Sequence, residues 1–158
     1  MSQMLAMYNS VGNDAFSAMI GQIAPFFSTI DARFTILRPN YAEIVMPFRR
    51  EVTNHLGTVH AIAMCNMAEL VAGTMTDASI PAGCRWIPKA MSVQYLAKAK
   101  TDLRAVSNGE GLDWAAGGDI PVPVEVFDTN GVKVFSAVIT MNVRPGELVL
   151  SEDARKLG

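Results

Sequence analysis

The feature that most constrains the fold is an apolar run from Ala61 to Met75 that contains no proline. Its apolar side chains fall on every side of an α-helix, which is typical of a helix buried in a protein core. Asn66 and Glu69 interrupt the run, which is also shorter than the roughly 20 residues that a membrane-spanning helix needs. We therefore predict a buried central helix and no membrane partner.

The segments on either side of this helix predict one helix before it and strands around it. Phe16, Met19, Ile20 and Ile23 have the spacing of an amphipathic helix, which Pro25 ends. A shorter helix is expected just before it, and Pro39-Asn40 predicts a tight turn between two strands. The predicted strands are 32–38, 41–48, 89–98, 102–106, 120–127 and 132–143. Prolines 121 and 123 favour an edge position at the start of the fifth strand.

This order of elements predicts an α+β fold in which a curved antiparallel sheet wraps around one long buried central helix, with an N-terminal helix outside. The sheet must curve because a flat sheet would cover only one side of a helix that is apolar all round. At 158 residues the chain is expected to be a single domain, 1–158, with a core of about 13–145. Both faces of strand 132–143 carry apolar residues, so we expect a second copy to cover the sheet.

Composition excludes several classes of protein. Half of the residues are hydrophobic and 18% are charged, so the chain can bury enough apolar surface to fold. A net charge of −2 leaves no basic excess for binding nucleic acid. Cys65 and Cys84 have no metal-ligand spacing, and no metal site is expected. No cationic residue precedes Arg33, so no secretory signal is expected, and the sequence predicts a cytoplasmic protein.

Candidate chemistry lies where the central helix departs from its apolar pattern. Asn66, Glu69 and Gly73 are spaced one helical turn apart and share a face. A carboxylate in apolar surroundings can act as a general base on water or as a nucleophile. The backbone N–H groups that open the helix, around Ala61, have no acceptor within the helix and suit an oxyanion. Together these groups would serve the hydrolysis of an ester or a thioester.

Each candidate also has a structural alternative. Glu69 could form a salt bridge across a subunit interface, and His60 could be a neutral residue that holds the loop before the helix. Asn54 could brace the same loop, which is a common use of Asn. On an apolar helix, Cys65 is expected to be a small core residue.

The arrangement Asn54-x-x-Gly57-x-x-His60, with Glu69 nine residues later on an apolar helix, resembles the hotdog-fold acyl-CoA thioesterases of the phenylacetate-pathway type. The alternating strand 91–100 and the order of elements are also similar to that family. The resemblance is closest to a sub-branch of hotdog proteins classed as a domain of unknown function. It implies the hotdog fold and a homo-oligomer, either a dimer or a dimer of dimers, with active sites between subunits.

The resemblance also implies a role for each residue of the motif. Asn54 would orient the substrate or a water, Gly57 would permit the tight path of the loop, and His60 would brace the loop. The backbone N–H of Ala61 would polarise the thioester carbonyl. Glu69 would be the base or nucleophile and would face the loop of the other subunit.

The sequence departs from the family pattern in three places. The common His-Gly-Gly is His60-Ala61-Ile62, the usual Asp is Glu69, and a common Pro is Lys98. The charge of Lys98, with those of Lys100 and Arg85, could contact the phosphates of coenzyme A. Asn66 is a further candidate for substrate contact because it lies on the face that carries Glu69.

These observations predict an acyl-CoA thioesterase that hydrolyses a small-molecule thioester with water, assisted by a carboxylate at a subunit interface. No cofactor is expected beyond the coenzyme A of the substrate. The alternative is a non-catalytic hotdog module that binds an acyl or aromatic ligand. The altered His-Gly-Gly segment keeps that alternative open.

Overall fold

The protein is described by a computed structural model that covers residues 1–146. Over these residues the elements are α1 (Gln3–Ile23), β1 (Arg33–Arg38), β2 (Tyr41–Met46), α2 (Ala61–Ser79), β3 (Cys84–Tyr95), β4 (Leu103–Asn108), β5 (Gly118–Phe127) and β6 (Lys133–Pro145). Short 3₁₀ turns lie at Pro25–Ile30, Arg50–Val52 and Trp114–Ala116. The order confirms the predicted helix, two strands, helix and four strands. The end of the predicted domain, 147–158, lies outside the described residues.

The six strands form one antiparallel sheet in the order β1-β2-β4-β5-β6-β3. The helix α2 packs against every one of these strands, which only a curved sheet permits. This explains why its sequence is apolar all round: Met67, Ala68 and Leu70 are all buried although they point to different sides of the helix. The predicted α+β fold, a curved sheet around a buried helix, is confirmed.

The N-terminal helix α1 lies outside this core and packs on β1. Gly12 interrupts it with a φ of 82°, a left-handed conformation that glycine adopts without strain, so the helix is kinked there. Two helical pieces therefore follow one another, as the sequence predicted. Phe16 joins α1 to the sheet through an edge-to-face contact with Phe34 of β1, at 4.9 Å between ring centroids, and it also packs on Tyr8 of the first helical piece at 5.3 Å.

The strand β3 forms one edge of the sheet and pairs only with β6 among the described residues. It begins at Cys84, five residues before the predicted start at Lys89. Pro88 hid this part of the strand from sequence reasoning, because proline cannot donate to a ladder. The structure accommodates Pro88 at a register shift on the edge strand, between Pro88 and Ala90.

The start of β5 has a partner on one side only. Its residues Gly118–Phe127 pair with β6, but β4 pairs only with Glu125, Val126 and Phe127. Pro121 and Pro123 therefore lie where one side of the strand needs no ladder donor, in agreement with the predicted edge position. Within residues 1–146, no helix is both long enough and apolar enough to span a membrane.

Candidate functional site

The loop before α2 is held together by Asn54. The side-chain Oδ1 of Asn54 accepts hydrogen bonds from the backbone N–H groups of Leu56 (3.0 Å) and Thr58 (3.2 Å). Its Nδ2 lies 2.8 Å from Oγ1 of Thr58. Gly57 has a φ of 76°, so the loop passes through a left-handed conformation at the one position where glycine stands. The side chain of Asn54 is thus used within its own loop.

The loop ends at His60, which is the N-cap residue of α2. Its Nδ1 accepts a hydrogen bond from the backbone N–H of Ile62 at 3.0 Å, so the proton of the neutral ring lies on Nε2. The backbone N–H of Ala61, between His60 and Ile62, donates to no group among the described residues. The start of α2 therefore presents one free donor at the positive end of the helix dipole.

Glu69 lies two turns further along α2, on a face of this helix that stays partly exposed. The side chains that are not fully buried on this face are Ile62, Cys65 and Glu69, whereas Leu70 to Thr76 are all buried. The carboxylate of Glu69 is half-buried and has no hydrogen bond or ion pair with any residue in the range 1–146. A partly desolvated carboxylate without a partner is available to a ligand.

Two aromatic side chains of β3 flank Glu69 along the helix. The hydroxyl of Tyr95 lies 3.8 Å from Sγ of Cys65, one turn before Glu69, and this contact raises the pKa of Tyr95. The ring of Trp86 lies on Gly73, one turn after Glu69. Each end of the space beside Glu69 therefore has a ring from the same edge strand: Tyr95, which is 57% exposed, lies towards the start of α2, and Trp86 lies towards its end.

On its other side this face meets the 3₁₀ turn Pro25–Ile30 through Asn66. The side chain of Asn66 is buried, and its Nδ2 donates to the carbonyl of Phe26 at 3.3 Å and to Oγ1 of Thr29 at 3.4 Å. Arg49 also donates to Thr29, at its carbonyl. Asn66 thus ties α2 to this turn, and its Oδ1 has no partner among the described residues.

One chain by itself does not complete a hydrolytic site. Ala61 and Glu69 are eight residues apart on one helix, which separates them by about 12 Å along its axis. A reacting carbonyl needs both the oxyanion donor and the base or nucleophile at about 3 Å. Within one chain, Ala61 and Glu69 are therefore too far apart to act on the same carbonyl.

The model of the family described as a domain of unknown function, DUF4442, matches residues 12–143. The chain belongs to the DUF4442 family. A structural-genomics protein, "genomics APC5556", is 59% identical to it over 91% of this chain and 97% of that one, with a TM-score of 0.84. No curated protein matches the chain.

More distant structures show the same fold. PA5026 of Pseudomonas aeruginosa, described as a protein of unknown function and probable thioesterase, is 22% identical with a TM-score of 0.71, over 80% of this chain and 91% of that one. The thioesterase HI1161 of Haemophilus influenzae is 12% identical with a TM-score of 0.70, over 80% and 88% of the two chains. The DUF4442 chain therefore has the hotdog fold of thioesterase-family proteins, as its motif predicted.

The candidate cations of the DUF4442 chain lie in two separate places. Lys98 and Lys100 are exposed and flank Ala99, whose carbonyl accepts a 2.8 Å hydrogen bond from the backbone N–H of Val59 in the loop before α2. Arg85 is at the other end of β3, roughly 33 Å along the extended strand from Tyr95, where the strand ends before this link. The fold brings the two lysines to the start of α2, and it does not bring Arg85 there.

Sequence reasoning missed Trp86 and Tyr95 as parts of this site, and it assigned Cys65 to the core. Cys65 is half-buried and faces Tyr95, so it borders the open face instead. No spacing rule links a helix residue to a strand residue about 30 positions later. Among residues 1–146 there is no cluster of three or more His, Cys, Asp or Glu side chains that could hold a metal ion.

Proposed function

We propose that this DUF4442 protein hydrolyses an acyl-CoA thioester with water, at sites shared by two subunits of a homodimer. The observation that carries the proposal is the carboxylate of Glu69, which lies half-buried next to the fully buried segment Leu70 to Thr76 and has no partner among the described residues. A carboxylate kept in such a position without a structural partner is suited to act on a ligand. Glu69 is the general base, and the N–H of Ala61 from the other subunit is the oxyanion donor.

The exposed edge of β3 supports the dimer. This strand is 12 residues long, and several of its large apolar side chains are exposed, including Ile87 (55%) and Met91 (42%). A long apolar edge strand is a liability unless another chain pairs with it. A second copy related by a twofold axis would add its own β3 in antiparallel order and continue the sheet. That arrangement would bring the start of one α2 towards the open face of the other.

The reaction follows from the positions of the two groups. Glu69 accepts a proton from water as the water oxygen forms a bond to the thioester carbonyl carbon. The carbonyl oxygen becomes an oxyanion and accepts a hydrogen bond from the N–H of Ala61 of the partner subunit. When the tetrahedral intermediate collapses, the carbon–sulfur bond breaks, and the protonated Glu69 returns its proton to the thiolate of coenzyme A. The products are a carboxylic acid and free coenzyme A.

Coenzyme A would enter from the end of the site where α2 begins. Lys98 and Lys100 are exposed there, next to the loop that Ala99 holds. Ammonium groups bind phosphate as point charges, so these lysines suit the phosphates of coenzyme A. Replacing both lysines by Gln would raise KM for acyl-CoA and leave kcat nearly unchanged, because the contacts are the same in the ground and transition states.

The test of the proposal is the release of free thiol from a panel of acyl-CoA thioesters. Wild type is expected to turn over at least one member, and Glu69→Gln to lose about 100- to 10,000-fold in kcat, the usual contribution of a general base. Glu125→Gln is the matched control, because Glu125 pairs with Lys133 at 2.6 Å on the exposed face of β5, opposite the face that carries the buried Val124 and Val126. Unchanged activity in a dimeric Glu69→Gln protein would remove Glu69 from the mechanism.

The second candidate is a hotdog module that binds an acyl or aromatic ligand without turnover. Two observations favour it: the side chain of Asn54 is used within its own loop, and Ile62 is 55% exposed at the helix start, where the thioesterases that the motif resembles have glycine. This alternative predicts that acyl-CoA raises the melting temperature in a saturable manner while no thiol is released. Thiol release that depends on Glu69 would exclude it.

A further inference from the structure

The space beside Glu69 is closed at one end and open at the other. Towards the start of α2, Ile62 is 55% exposed and Tyr95 is 57% exposed. Towards its end, Gly73 and the residues that follow it as far as Thr76 are buried. A ligand held at Glu69 therefore has an exit on the N-terminal side of α2 and a wall on the C-terminal side.

That wall is the indole of Trp86. A Cβ added at Gly73 would lie 2.8 Å from Cη2 of Trp86, closer than real Cβ atoms approach other atoms, so the ring edge rests directly on the helix backbone. The indole Nε1 also donates a hydrogen bond to Oδ1 of Asp77 at 3.0 Å. The ring is thus fixed at two points on α2 and does not swing aside freely.

The wall stands close to the reacting position. Glu69 and Gly73 are four residues apart, which is about 6 Å along the helix axis. The large polar coenzyme A portion has to leave through the open end, so the acyl group points towards Trp86. Only a few carbon atoms, or a single ring, fit into that length before the chain meets the indole.

We infer that Trp86 sets the upper size limit of the acyl group and makes the protein selective for short or single-ring acyl thioesters. This inference rests on the proposed thioesterase function and adds a specificity-determining residue to it. The selectivity comes from exclusion, since a rigid ring held against a glycine cannot repack around a longer chain.

The test compares kcat/KM for straight-chain acyl-CoA thioesters of increasing length in wild type and in Trp86→Ala. We expect wild type to lose activity steeply beyond short chains. Trp86→Ala should raise the ratio of kcat/KM for octanoyl-CoA over butyryl-CoA by about tenfold or more, because each added methylene that finds a pocket contributes to binding. Trp86→Phe, which removes less volume, should shift the ratio in the same direction but by less.

A matched control separates this effect from a general loss of structure. Trp114 is also held through its indole, with Nε1 donating to Oδ1 of Asn40 at 2.7 Å, but it packs near Gly109 and Met75 on another side of α2. Trp114→Phe should leave the chain-length profile unchanged. An unchanged profile in Trp86→Ala and Trp86→Phe proteins that unfold cooperatively would overturn the inference.

A binding readout distinguishes the failure of this inference from that of the proposed function. S-alkyl-CoA thioethers cannot be hydrolysed, and their stabilisation of the protein against heat measures binding alone. If no thioester is turned over, the proposed hydrolysis fails. A length limit on thioether binding that Trp86→Ala extends would still support the role of Trp86. Equal stabilisation of wild type and Trp86→Ala by every chain length would contradict it.

Discussion

The two halves of α2 differ in their exposure to solvent, although they belong to one helix and are both rich in apolar residues. The half that begins at Ala61 keeps a free N–H, an exposed Ile62 and the unpartnered Glu69. The half from Leu70 to Thr76 is completely buried, beneath the sheet and the N-terminal segments that pack on α2. The second half therefore anchors the helix in the sheet, and it holds the first half in a fixed position. Polar groups at the open end are available to a ligand because the closed end supplies the packing.

The largest expected difference in stability is between substitutions in the two halves of α2. Met75→Ala removes a fully buried side chain and should lower the free energy of unfolding by about 2–5 kcal/mol. Ile62→Ala, at a side chain that is 55% exposed, should change it by about 0.5 kcal/mol or less. Urea unfolding of both variants measures the difference. Equal losses would mean that the open face is part of the core.

A smaller effect is expected at the boundary between loop and helix. His60→Ala removes the Nδ1 acceptor that caps the N–H of Ile62 and should lower the free energy of unfolding by about 1 kcal/mol. His60→Asn restores a capping oxygen and should recover most of that loss. Urea midpoints of the three proteins test this. If the Asn variant were as unstable as the Ala variant, the imidazole would contribute by packing and not by capping.

A carboxylate with partners offers a contrast to Glu69. Burial raises the pKa of Glu43, but hydrogen bonds from Thr35 (2.8 Å) and Arg104 (2.9 Å) outweigh it, so the pKa is lowered overall. A carboxyl whose pKa is lower in the folded state than in the unfolded state stabilises the fold above the unfolded pKa of about 4.3. This stabilisation is lost as the pH falls through the folded-state pKa. Glu43 is therefore a structural carboxylate.

The smallest predicted effect follows from this contrast. Glu43→Gln should be less stable than wild type at pH 7, and the difference between their urea midpoints should shrink as the pH is lowered towards 3. The effect should be modest because Arg104 is 45% exposed. Glu125→Gln, which breaks an exposed pair with Lys133, should show almost no difference at any pH. If the difference in urea midpoint between Glu43→Gln and wild type stayed constant as the pH fell, Glu43 would not be a structural carboxylate.

The order and class of the elements could be predicted from the sequence because the apolar pattern of α2 is compatible with only one kind of packing. A helix that is apolar from Ala61 onwards on all sides must be enclosed, and only a curved sheet of the alternating strands could enclose it. Boundaries were less predictable where the local chemistry was ambiguous. Pro88 hid the first residues of β3. A proline is tolerated in an edge strand, but the sequence alone does not show which strand lies at an edge.

The candidate site was predictable only where it is contiguous in sequence. The loop from Asn54 to His60 and the helix that carries Glu69 form one segment, so their spacing could be interpreted directly. The positions of Trp86 and Tyr95 depend on how β3 crosses α2, and no local pattern encodes that crossing. The burial of Asn66 against the turn at Pro25–Ile30 depends in the same way on packing between distant segments.

In the proposed mechanism, Glu69 of one subunit works with the N–H of Ala61 of the other. Ala61→Pro removes this N–H while preserving the helix, since proline suits the first helical position and the residue before it, His60, already has an extended ψ of 134°. By itself it should lower kcat by about 100- to 1,000-fold, whereas Ala61→Gly, which keeps the N–H, should not.

The most direct measurement combines the two defects in one dimer. Subunits carrying Glu69→Gln and subunits carrying Ala61→Pro are given different affinity tags, coexpressed and purified as the mixed dimer. If the sites are shared, one of the two sites in this dimer has both an intact Glu69 and an intact Ala61 N–H, and thiol release should return to about half of the wild-type rate. If each site lies within one subunit, the mixed dimer would stay as inactive as the dimers that carry only Glu69→Gln or only Ala61→Pro. That result would contradict a site shared between subunits.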